Sequence, residues 1–166
     1  DPRTFCSSKG ILLSEVGVEY PSPPTMMHTD PPEHTRYRKL VQPAFNREAV
    51  ARMEPGVRRR AQAAVERLAF DTPIDVVEEL AVPFPLQVIA DILGVPEHDW
   101  PRFYEWSEAA IPGATDLSEE QTTELMVQMM AYLLTVATTR RLAPSDDVVS
   151  HLATVESGGD RLEDHE

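Results

Sequence analysis

Asp30-Pro-Pro-Glu-His-Thr-Arg-Tyr-Arg-Lys-Leu40 (DPPEHTRYRKL) decides how the chain is read. Asp30, Pro31 and Glu33 spell a helix start. Asp30 offers a side-chain acceptor at the N-cap, Pro31 suits the first helical position, and Glu33 completes a capping box. The spacing predicts a helix running to about Val41, ended or kinked by Pro43. His34 and Arg38 are four apart, so they share one face of that helix, one turn from each other. Both lie near its N-terminal end, where free backbone N–H groups and the helix dipole favour negative charge. Arg binds a carboxylate with two parallel hydrogen bonds, and His adds another donor. The pair is a candidate clamp for a carboxylate or phosphate. The competing reading is local: His34 paired with Glu33 or Asp30, and Arg38 solvated. A metal site built from His28, Asp30 and His34 is disfavoured, because two prolines intervene and no third imidazole is near.

Charge spreads unevenly outward from this stretch. The chain carries −13, yet residues 36–67 hold nine bases against three acids, a net +6 that leaves −19 elsewhere. An acidic protein with one basic stripe is a poor nucleic-acid binder. The stripe suits an acidic protein or an anionic cofactor, or is simply a solvated helix face.

The flanks read as helices joined by turns. Upstream, Gly10–Thr29 is a long loop with a short helix expected at Ile11–Glu15; its apolar residues favour an ordered loop that covers something. Downstream, Val50, Met53, Val57, Ala61, Ala64, Val65 and Leu68 recur at three and four, with Pro55-Gly56 predicting two helices rather than one. Ile74–Val77 reads as a short strand or extended stretch. Leu80–Leu93 is an apolar helix stopped by Gly94 and Pro96. Asp99 is expected to cap a helix over Trp100–Ile111, and Pro112–Asp116 is a loop. Ser118 and Gln121 form a capping box for a helix to about Leu142. A further helix is expected at Asp147–Glu156, then a turn at Ser157–Asp160.

Bulk properties narrow the class. At 166 residues the chain is one domain of ordinary size. No apolar run approaches the roughly 20 residues needed to span a bilayer. The single cysteine, Cys6, excludes an internal disulfide and a Cys-rich metal cluster, and fits a reducing cytoplasm. DPRTF at the front and RLEDHE at the end both read as interior sequence, so truncation at both ends is expected.

Six motifs in register resemble bacterial cytochromes P450. DPPEHTRYRKLV followed by Ala44-Phe45 resembles the family's C-helix pattern DPP-x-H-T-x-x-R, L-V, A-F. DPRTFCSSKG is similar to the segment before the B–C loop, and MEPGVRRRAQAAVERL to the D-helix segment. IDVVEELAVPFPLQVIADILGVPEHDW is similar to the E-helix region. RRLAPSDDVVSHL resembles the link into helix H, and GGDRLEDHE the turn before helix I.

The resemblance implies a mainly α chain forming part of the cytochrome P450 fold, the B–C loop and helices C to H. It divides residues 1–166 into a B–C loop region (1–29), helices C and D (30–69), the helix E region (74–94), helices F and G (99–142), and helix H with the turn before helix I (145–166). It implies haem b as the cofactor of the full-length protein, with His34 and Arg38 hydrogen-bonding a haem propionate. Met26 and Met27 then fall in the substrate roof, and Trp106 and Ile111 in the lid. Arg36, Lys39 and Arg47 fall on the face that docks a ferredoxin or flavodoxin. The iron-ligating Cys is expected beyond the C-terminus; Cys6 stands where the family has Ser, so the chain holds neither an iron ligand nor a strictly catalytic residue. The implied parent is a cytoplasmic haem-thiolate monooxygenase. It hydroxylates a small hydrophobic substrate with O2 and NAD(P)H electrons, with no nucleic-acid or membrane partner. The competing readings are a non-catalytic all-helical ligand-binding module and an inactive fragment.

Overall fold

The computed structural model describes residues 4–18, 25–69, 71–111 and 116–163. These residues form six α-helices and one small hairpin, so the mainly α expectation holds. The chain divides into two compact units: Asp1–Asn46 with Val155–Glu166, and Arg47–Thr154. No described helix is long and apolar enough to cross a membrane.

The first unit contains the loop, helix α1 (Glu33–Val41) and a hairpin of β1 (Glu156–Ser157) and β2 (Asp160–Arg161). The helix expected at Ile11–Glu15 is a 3₁₀ turn at Leu13–Glu15, and a second such turn spans Met26–His28. The rest of the predicted loop, residues 19–24, lies outside the described residues. Glu15 ties the two turns together. Its Oε2 accepts N–H bonds from Ile11 (2.9 Å) and Leu12 (3.1 Å), and faces His28 Nε2 at 3.4 Å. The other ring nitrogen of His28 meets Thr25 Oγ1 at 3.0 Å, so this buried imidazole is satisfied.

Those contacts give the loop a pH dependence. The Ile11 N–H is the largest influence holding the Glu15 carboxyl below its ordinary 4.5; Leu12 and His28 act in the same direction, against desolvation. A carboxyl depressed in the folded state stabilises fully above its unfolded value, and that contribution is lost as pH falls through the folded one. Pepsin cleavage within residues 10–29 is therefore expected to accelerate once pH drops below about 4.5, the unfolded Glu value. In Glu15→Gln that acceleration should be absent, because the loop starts in the loosened state.

Two expectations about caps are corrected. Asp30 does not cap α1 with its side chain: Oδ1 accepts the Ser7 N–H (2.9 Å) and Oδ2 the Ser8 N–H (3.1 Å). Only its carbonyl serves the helix, taking the His34 N–H at 3.1 Å. Asp99 likewise makes no side-chain cap; its carboxylate accepts the Tyr132 hydroxyl at 2.8 Å. In both cases a distant donor takes an oxygen that local sequence would assign to the nearest helix.

The second unit is helical throughout. Helix α2 (Arg47–Glu66) runs unbroken through Pro55, against the expected division into two. Pro55 forfeits only the N–H that would reach Ala51, while buried Ala49 and Ala64 hold the helix on either side. No strand forms at Ile74–Val77. Asp75 Oδ1 takes the N–H groups of Val77 (2.8 Å) and Glu78 (3.2 Å), starting a π-helical turn at Val77–Ala81. Helix α3 (Pro83–Leu93) ends at Gly94 as predicted, with φ 72°, and the Val95 N–H returns to the Ala90 carbonyl at 2.8 Å. That bond is the signature of a Schellman stop. Helix α4 spans Trp100–Ala109, and residues 112–115 of the predicted loop lie outside the described residues. The capping box of Ser118 and Gln121 starts α5 (Glu119–Leu142) as predicted. Helix α6 (Val148–Thr154) stops short of the expected Glu156, which belongs to β1.

The core of this unit is Ala90, Val95, Phe103 and Trp106, covered by Leu86, Leu93, Trp100, Leu125, Met129 and Tyr132. Arg60 staples its edge. It reaches both oxygens of Asp91 (2.8 and 3.0 Å) and Glu97 (2.8 Å), and stacks 4.5 Å over the Trp100 ring. The bond to Asp91 is the largest of the influences raising the Arg60 pKa above its ordinary value. Arg60→Ala is expected to destabilise the chain by about 1–2 kcal/mol, from the forked ion pair and the cation–π contact together. Urea titration at low and high salt checks this; the part carried by exposed Glu97 should shrink with salt.

Candidate functional site

Helix α1 has two unlike sides. At about 100° per residue, Arg36 lies opposite the midpoint between His34 and Arg38. Leu40, four residues on from Arg36, shares its side and is 1% exposed. The Arg36 side is thus the anchored one. Its guanidinium holds both oxygens of Asp160, Nε at 3.0 and 2.9 Å and Nη2 at 2.9 Å from Oδ1, and Nη2 also reaches the Arg161 carbonyl at 2.8 Å.

The other side carries His34, half-buried, and Arg38, exposed. Among the described residues neither side chain has a hydrogen-bond or ion-pair partner. The local alternative, His34 paired with Glu33 or Asp30, does not form: Asp30 is turned to the Ser7 and Ser8 amides. The Ser7 N–H is the largest influence holding the Asp30 carboxyl below its ordinary 3.8, followed by the Ser8 contacts; desolvation opposes them and His34 adds a small favourable charge. Asp30 stays anionic but is engaged elsewhere. What remains on that face is a side-by-side imidazole and guanidinium with donors to spare and no carboxylate of their own. Such a donor set fits a carboxylate ligand such as a propionate.

The remaining predicted residues fall as follows. Met26 is half-buried and Met27 is 59% exposed, both in the 3₁₀ turn that Glu15 and His28 brace. Ile111 is 61% exposed at the end of α4. Trp106 is 1% exposed and packs on Tyr132 with ring centroids 5.1 Å apart, so it serves the core of the second unit. Lys39 and Arg47 are exposed, whereas Arg36 is committed to Asp160. Among the described residues no group of three His, Cys, Asp or Glu is arranged to hold a metal ion, and the Cys6 thiol is free and half-buried. Sequence reasoning missed Glu15 and Asp160. The Gly-Gly turn just before Asp160 was a signal for a hairpin, but nothing local pointed it at Arg36.

No family model matches the chain. Among curated proteins it is 36% identical over 165 residues to cytochrome P450 130 of Mycobacterium tuberculosis, covering 96% of this chain and 40% of that protein. It is 32% identical over 169 residues to the vitamin D(3) 25-hydroxylase of Pseudonocardia autotrophica, covering 100% of this chain and 41% of that one. Among solved structures it superposes on the LnmA cytochrome P450 hydroxylase of Streptomyces atroolivaceus with a TM-score of 0.80 at 32% identity, covering 90% of this chain and 39% of the other. The chain therefore spans about 40% of the length of the curated relatives it matches.

Proposed function

Because this chain belongs to the cytochrome P450 family, we propose that it is part of a haem-thiolate monooxygenase, in which it supplies the propionate clamp and part of the substrate cover. The observation that carries the reading is the open face of α1, where His34 and Arg38 stand together without an acidic partner among the described residues. Bound haem supplies the oxygen-activating chemistry. This chain's residues do the holding and shaping. Arg38 is suited to a forked bond with one propionate and His34 to a second donor, which together fix the cofactor's edge and neutralise its charge. Met26 and Met27 offer soft apolar surface that adapts to a hydrophobic substrate, and Ile111 offers apolar surface from the end of α4.

The reaction class proposed is hydroxylation of a small hydrophobic molecule by O2, with electrons from NAD(P)H delivered by a ferredoxin-type partner. Two of the relatives above are named hydroxylases, which supports the class and leaves the substrate to experiment. Lys39 and Arg47 are the exposed cations offered to an acidic redox partner; Arg36 is not among them. Exposed Val127, Met130 and Leu134 on α5 are more apolar surface than a helix leaves to water, which supports a longer chain packing on it.

The test is the reduced carbon-monoxide difference spectrum of the protein expressed from the extended reading frame. The band characteristic of thiolate-ligated haem is expected. Failure of that chain to take up haem would overturn the monooxygenase reading and leave a helical ligand-binding module.

A further inference from the structure

We propose that Asp160, acting through Arg36, is a positioning residue that sets the roll of α1 and so aims His34 and Arg38 at their anion. The inference rests on the propionate reading above. Helix α1 is nine residues long, and its N-terminus has no side-chain cap. Leu40 is its buried side chain, 1% exposed, but a buried leucine fixes depth better than rotation. Arg36 is different, because its planar fork meets both oxygens of Asp160 and the next carbonyl, that of Arg161. A forked guanidinium–carboxylate pair has one geometry, so it restrains angle as well as distance.

The carboxylate is itself well placed to act as a fixed post. Asp160 opens β2 directly after Gly158 and Gly159, whose φ values of 63° and 83° suit the two-residue turn, and it pairs with Ser157. Since Arg36 lies opposite the clamp, any slip at this bond appears as equal rotation on the far side. A roll of about 20° carries a group about 6 Å from the helix axis through about 2 Å. A displacement of that size breaks a hydrogen bond to a ligand fixed elsewhere. Arg36 and Asp160 are 31% and 41% exposed at their side chains, and exposed pairs of this kind add little to overall stability. Direction, rather than stability, is what the pair contributes.

The test uses the haem-loaded protein that contains this segment and follows haem transfer to excess apomyoglobin. Four proteins are compared: wild type, Asp160→Asn, His34→Ala/Arg38→Ala, and the triple variant. Asp160→Asn is expected to speed haem loss about tenfold, the size seen when supporting partners of cofactor ligands are removed. In the clampless background the same substitution should add nothing. Arg36→Lys keeps the charge but loses the fork, and should behave like Asp160→Asn; Asp160→Glu should restore most of the retention. Equal acceleration in both backgrounds would mean a staple of general stability and overturn the inference. Unchanged haem loss in both Asp160→Asn and Arg36→Lys, with a clamp variant that does lose haem, would overturn the inference while sparing the propionate reading. A clamp variant that retains haem normally would overturn that reading, and this inference with it.

Discussion

Gly94→Ala is expected to lower the melting temperature of the chain by about 10 °C, a loss of about 4 kcal/mol. Two effects add. Gly94 sits at φ 72°, where any other residue meets a penalty of about 1 kcal/mol. The larger effect is steric. A Cβ there would overlap the Asp147 carboxylate, lie 2.8 Å from its Cγ and 3.0 Å from Arg140 Nη2. Asp147 cannot simply withdraw. Its side chain is 4% exposed, it holds Arg140 Nε at 2.6 Å, and its other oxygen caps α6 through the Ser150 N–H at 2.6 Å. Arg140 also donates to the Gly94 carbonyl at 3.1 Å. Dislodging one member of a buried ion pair typically costs about 3 kcal/mol or more. Gly158→Ala is the control: it too has positive φ, but nothing lies within 4 Å of the added methyl, so only the conformational penalty of about 1 kcal/mol is expected. Thermal melts followed by circular dichroism check both; equal losses at the two glycines would refute the steric account.

His34→Ala/Arg38→Ala is expected to weaken haem retention about 100-fold in the protein that carries this segment. Hydrogen bonds to charged groups contribute about 1.5–3 kcal/mol each, so losing two removes about 3 kcal/mol, and each 1.4 kcal/mol is a factor of about ten. The haem-transfer rate reads this directly. Arg38→Lys should fall between, because an ammonium keeps the charge and loses the forked geometry. Substitutions at exposed Lys39 or Arg47, proposed to meet a protein partner rather than the cofactor, should leave retention unchanged.

Local signals were legible where no distant group competed for them. The Ser118–Gln121 box and the Gly94 stop both formed as their sequence predicts, and α1 ends at Val41 as read. Asp30 and Asp99 were misread for one reason: each carboxylate has a partner far away in sequence, Ser7 and Ser8 for one and Tyr132 for the other. Spacing cannot reveal such a competitor. Pro55 failed as a breaker because buried residues on both sides of it outweigh one lost hydrogen bond. The π-helical turn at Val77–Ala81 was announced by Asp75 two residues ahead, a cap hidden by the β-branched run that suggested a strand. At the site, the adjacency of His34 and Arg38 followed from helix geometry alone. The commitment of Arg36 to Asp160, 124 residues away, did not.

The junction at Gly94 also implies an order of assembly. Arg140 and Asp147 are separated by 7 residues, whereas Arg140 and the Gly94 carbonyl are separated by 46. Closing the shorter loop costs less chain entropy, so the α5–α6 corner can form early and wait for α3. Gly94 would then dock last, onto a socket already built. Substitutions at Asp147 should slow folding, while those at Gly94 should chiefly hasten unfolding. One small residue would thereby govern how long the assembled unit lasts rather than how quickly it is made.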